Sequence, residues 1–166
     1  NTLKTARLMT VIELLVDDHQ PEAALEAVAE LNASGTRHIH ALQWSMKANQ
    51  QAKNWPEVLR LVRSLDKHKA LHPALSARLR ELAYDALLSD NSHDAESIQR
   101  VWATVPAADR IKPYIAAHAA AALNARGLHD EARATVEEAL RAEWDDRVVR
   151  AYRDAAAPAG TPALLA

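Results

Sequence analysis

One local phrase occurs four times along this chain, and its spacing constrains the fold more than any other feature. Gln20-Pro-Glu-Ala-Ala-Leu25, Trp55-Pro-Glu-Val-Leu-Arg60, Ala95-Glu-Ser-Ile98 and His129-Asp-Glu-Ala-Arg133 each place a glutamate where a helix would begin. The glutamates stand at 22, 57, 96 and 131, so the intervals are 35, 39 and 35 residues. A unit of that length holds two antiparallel helices, and such units bury their apolar faces by stacking on their neighbours. The spacing therefore predicts an array of helical hairpins.

Each phrase follows a breaker or capping residue: Asp18 before Pro21, Asn54 before Pro56, Asn91 and Ser92 before Glu96, and Gly127 before Glu131. Polar caps accept the orphan amides of a first turn, Pro has no amide to lose there, and Glu complements the helix dipole. Behind the phrases, apolar residues recur at helical spacing: Ala23, Ala27 and Leu31; Val58, Leu61, Val62 and Leu65; Ile98, Val101 and Trp102; Ala132, Val136, Ala139 and Leu140. These are the second helices of four pairs. The first helices read as 3–16, 37–52, 73–88 and 107–125, and the short links make sequential helices antiparallel neighbours. The pairs cover about 1–34, 35–70, 71–105 and 106–142. An extra helix over 145–157 would lay Val148, Val149 and Tyr152 against the last pair, with Trp144 just ahead of it. Pro158, Gly160 and Pro162 then predict a loose tail over 158–166. No strand pattern appears.

Composition supports an all-α fold and removes several functions. Of the 166 residues, 36 are Ala and 21 are Leu against 10 Val and 5 Ile, the balance of a helix former. With 20 Lys and Arg against 22 Asp and Glu there is no general field for phosphate backbones, so a nucleic-acid-binding role has no support. The absence of Cys excludes disulfide scaffolds, thiolate metal sites and cysteine nucleophiles. Three Gly, at 35, 127 and 160, cannot form a dinucleotide fingerprint or a P-loop. No stretch approaches the roughly 20 apolar residues of a membrane-spanning helix. Beginning at Asn1, the sequence reads as a piece of a longer chain whose targeting elements lie elsewhere.

The stretch from Gly127 to Leu140 resembles the second half of a tetratricopeptide repeat, with Gly127, Ala132 and Ala139 on its small-residue positions. Counting back, the first-helix packing positions fall on Ala116, Ala119, Ala120 and Leu123. In the other repeats Val58 replaces a small Ala and Met46 a Gly, and those alone read only as a helical solenoid. A narrower resemblance lies in residues 41–61, in Val105-Pro-Ala-Ala-Asp-Arg110 and in Ala139-Leu-Arg-Ala-Glu-Trp-Asp-Asp-Arg-Val148. Together these look like the middle of HemY, a family of bacterial inner-membrane proteins tied to late protoheme synthesis. The resemblance implies a right-handed superhelix that binds other proteins, with haem-biosynthesis enzymes as the expected partners, and no established catalytic residue. It also implies that the chain is the soluble region of an anchored protein. The pair of membrane helices that the family carries is absent from this sequence, so membrane association enters only through a segment not present here.

Candidate chemistry is sparse. His68 and His72 have i,i+4 spacing, but Pro73 biases His72 away from helical geometry. His38 and His40 point to different faces of a helix. The histidines therefore read as structural or surface groups, with no metal site. The pairs Asp17-Asp18, Glu137-Glu138 and Asp145-Asp146 read as solvated rather than as acid/base dyads, and no Ser sits in a nucleophile elbow. Trp55, Trp102 and Trp144 read as packing aromatics, whereas Trp44 fits either core or recognition.

What remains is the inner wall that first helices line in stacked hairpins. The repeat count places His40, Gln43, Lys47 and Gln50 there from the second pair, opposite Ile39, Leu42 and Met46 on the core side. From the fourth pair it places Tyr114, Ala117, Ala121 and Asn124, with Tyr114 as a wall. These sets suit a groove for an extended peptide. The sequence thus reads as a non-enzymatic interaction scaffold without a cofactor, the rival being a module that takes haem or porphyrin in its concavity.

Overall fold

In a computed structural model, which describes residues 2–35 and 39–156, the described residues form ten helices and no strand. They fall into two compact units that divide within one helix, between Ala83 and Tyr84.

The first unit holds α1 (Thr2–Asp17), α2 (Pro21–Ala33), α3 (Ile39–Gln51), α4 (Trp55–Lys67) and the beginning of α5 (Pro73–Leu88). α1 pairs with α2 and α3 with α4, and α3 also packs on α1 and α2. Ile12, Val16, Ala24, Val28, Leu31, Ala41 and Ala48 form one core cluster. Met46, Val58, Leu61, Val62, Leu65 and Leu79 form a second. The α4 residues follow i, i+3, i+4, i+7, so one face is wholly apolar, and burying each Val or Leu contributes about 1.5–3 kcal/mol. Trp44 and Trp55 pack half-buried against these clusters.

The second unit holds the end of α5 with α6 (Ala95–Thr104), α7 (Ala107–Arg110), α8 (Pro113–Ala125), α9 (His129–Ala142) and α10 (Asp146–Ala156). α8 pairs with α9, and α10 packs on both. Ala116, Ala119, Ala120, Leu123, Ala132, Val136 and Ala139 are all buried, as the repeat count requires. Because most of these side chains are methyl groups, the two backbones can approach closely.

Four turns share one geometry. His19, Lys53, Lys69 and Gly127 take left-handed φ values of 53°, 58°, 53° and 79°. The residue after each donates its amide to the carbonyl five positions back: Gln20 to Leu15, Asn54 to Asn49, Ala70 to Leu65 and Leu128 to Leu123, at 2.9–3.0 Å. This is the Schellman closure, which satisfies orphan carbonyls and reverses the chain. Several side-chain bonds then join residues about one repeat apart. Gln51 Nε2 donates to the Val16 carbonyl at 2.9 Å across 35 residues. Arg126 Nε donates to the His93 carbonyl at 2.8 Å across 33, and its Nη2 to the Asp90 carbonyl at 2.9 Å.

Several expectations are corrected. The helix expected over 107–125 is two, because Pro113 has no amide to continue the ladder and Lys112 before it turns extended (φ −66°, ψ 129°). Asn91 and Ser92 do not cap α6. Asp94 does, accepting the Ser97 amide at 2.8 Å while Ser97 Oγ accepts the Asp94 amide at 2.9 Å. α2 and α4 start on Gln20 and Asn54 with no side-chain cap bond, Pro taking the first-turn place instead. Ile39, expected in the core, is 41% exposed at the first position of α3. Trp144, expected to pack, is 73% exposed, because it lies in the link between α9 and α10 where no helix face carries it inward. The expected start of the second pair's first helix at Arg37 and the tail over 158–166 lie outside the described residues.

Candidate functional site

The four α3 residues counted onto the inner wall share a face, but they are not equally available. His40 and Lys47 are exposed, and Gln43 and Gln50 half-buried. Gln43 Nε2 donates to the Ala70 carbonyl at 3.3 Å, which ties α3 to the turn after α4 and gives this side chain a structural task. Lys47 Nζ lies 4.7 Å from the centre of the Trp44 ring, a cation–π contact that draws the ammonium along the helix surface. Trp44 thus serves both ways, packing on the core with one part of its surface and holding a cation with another.

The second set stands on α8, in the other unit. Tyr114 is half-buried and joins a polar cluster. Its hydroxyl donates to Asp85 Oδ2 at 3.3 Å, and its ring sits 4.4 Å from that of His118 at a 30° tilt. His118 Nδ1 is 2.6 Å from Asp85 Oδ1, which also accepts the Ser89 hydroxyl at 3.1 Å. A carboxylate on one ring nitrogen fixes the orientation of an imidazole. This cluster escaped the sequence reading, because Asp85 and His118 lie 33 residues apart and only the repeat spacing hints at their meeting.

Ala117, Ala121 and Asn124 do come together. With Ala120 and Ala151 they line a cleft of about 250 Å³ between α8 and α10, and Arg147 and Arg150 complete it. Asn124 Oδ1 is held by His129 Nδ1, so the end of the cleft is anchored on the start of α9. Arg147 is held in turn by Asp145, its Nε and Nη2 each donating at 3.0 Å to a separate carboxylate oxygen. Those bonds and the Arg147 amide hold the Asp145 carboxyl below the usual carboxylate range. The arginines also escaped the sequence reading. The signal available was their spacing with Arg153, at i, i+3 and i+6, which sets a basic row on α10.

Among the described residues no three His, Asp or Glu side chains gather to hold a metal ion. No helix of the described residues is long and apolar enough to cross a membrane. No protein-family model, curated protein or solved structure matches the chain.

Proposed function

We propose that this chain is a non-catalytic protein-interaction scaffold, a tetratricopeptide-like right-handed array from a HemY-like protein linked to late protoheme biosynthesis. In this reading its partners are haem-biosynthesis enzymes, and it is the soluble part of a bacterial inner-membrane protein anchored by a segment outside this chain. The observation that carries the scaffold reading is a division of labour on α8. The seam positions Ala116, Ala119 and Leu123 are buried, whereas Ala117, Ala121 and Asn124 open onto a cleft whose floor the buried Ala120 shares. Side-chain bonds across 33 and 35 residues support repeat-on-repeat stacking within each unit.

A second reading, direct haem or porphyrin binding, draws on His118, whose side chain is 39% exposed while Asp85 orients its ring. Two measurements separate the readings. Titration with haem, followed in the Soret band, should show no saturable one-to-one shift. A shift abolished by His118→Ala would replace the scaffold reading. Affinity capture by the full-length anchored protein should recover a partner, and Lys47→Glu with Gln50→Ala should weaken that capture while leaving stability within about ±0.5 kcal/mol per site. Full capture by that variant would remove the α3 face from the interaction surface.

A further inference from the structure

The cleft between α8 and α10 combines features that point to one kind of occupant. Its floor is methyl groups: Ala117, Ala120, Ala121 and Ala151 contribute nothing beyond Cβ, so the space remains open. Its charged wall is arginine alone. Asp145 already forms a two-pronged ion pair with Arg147, which shows the geometry in which a carboxylate meets this wall. Arg150 and Arg153 continue the same row along α10 and both are exposed, so the row presents guanidinium groups to whatever enters.

Volume narrows the choice further. About 250 Å³ is below the roughly 300–1,000 Å³ of pockets that enclose drug-sized ligands. A tetrapyrrole ring does not fit, whereas one short acidic side chain does. Planar guanidinium groups match carboxylates two-pronged, and an alanine floor accepts the methylene stem of such a chain. We propose that this cleft docks an acidic segment of a protein partner, one aspartate or glutamate side chain entering between Arg147 and Arg150. The inference rests on the scaffold reading and specifies the chemistry that the partner presents.

The test uses the full chain and a fluorescein-labelled hexaglutamate peptide, followed by anisotropy. Saturable binding is expected, weakened about five-fold or more by Arg150→Gln, which removes one of the two guanidinium groups that flank the entering carboxylate. Ala121→Leu changes no charge but fills the cleft at an exposed position, and it should weaken binding by about as much, with an unchanged circular dichroism spectrum. Arg100→Gln removes an equal charge from an exposed position on α6, where Arg100 pairs with Glu96 at 3.0 Å, and it should leave affinity within about two-fold. Equal losses for Arg100→Gln and Arg150→Gln, or full binding by Ala121→Leu, would overturn the site in favour of non-specific attraction. Displacement of the peptide by millimolar inorganic phosphate but not by glutarate would overturn the carboxylate assignment, and one-to-one displacement by protoporphyrin would overturn the peptide. If hexaglutamate fails to bind while partner capture still depends on Lys47 and Gln50, the cleft assignment falls and the scaffold reading stands.

Discussion

Asp94 shows what a single side chain contributes here and how to measure it. Its carboxyl is held below the usual range, first because it accepts the Ser97 amide and then through the Ser97 hydroxyl. A lowered folded-state value means that the ionised form stabilises the fold above the ordinary carboxylate range, and this contribution is lost as pH falls through the folded-state value. Asp94→Asn can still accept the Ser97 amide but cannot titrate. Its thermal midpoint should lie below that of the parent at about pH 6, and the gap should close towards about pH 2. A gap that persists in acid would show that geometry rather than charge sets the cap. Residue-scale features were the least legible in the sequence. The cap was expected at Asn91 and Ser92, three and two residues early, because Asn, Ser and Asp all suit the role and only the backbone selects among them. Gln43 was expected to face a ligand, yet a carbonyl 27 residues away claims its amide.

At the scale of helices and turns the sequence was far more legible, because periodicity reports which face is buried irrespective of what that face meets. Val58, Leu61, Val62, Leu65, Ala132, Val136 and Ala139 are all buried as their spacing requires. The exception is informative. The helix expected over 107–125 failed at Pro113, where helical propensity on both sides outweighed a breaker in the reading but not in the chain. Two predictions belong here. Lys53 occupies a left-handed conformation that costs a side-chain-bearing residue about 1 kcal/mol, so Lys53→Gly should raise the unfolding free energy measured in urea by about 0.5 kcal/mol after the added freedom of the unfolded chain is subtracted. Lys67→Gly, inside the last turn of α4, should instead cost up to about 1 kcal/mol. The seam between α8 and α9 has the opposite tolerance. Ala132→Glu would bury a charge and extra volume where no space exists, at a cost of about 3 kcal/mol or more, read as an early loss of helical signal on heating. An unchanged melting curve would refute the repeat register.

For the molecule as a whole, each unit has a core made of its own apolar side chains, and the described residues bring no metal-binding trio together. If those cores alone hold the fold, EDTA should leave the thermal midpoint within about 1 °C, because only a bound ion would stabilise the folded state by mass action. A larger drop would reveal a metal that the cores do not account for. The four Schellman turns carry a consequence for how such a chain can change length. Each closes a ring of fixed size, so one added residue would turn the following helix by about 100° and swing its apolar face into water. The link from Ser89 to Asp94, fastened to Arg126 by carbonyls rather than by a closed ring, has no such register to keep. Insertions and deletions across related sequences should therefore gather at that link and spare the residues around His19, Lys53, Lys69 and Gly127.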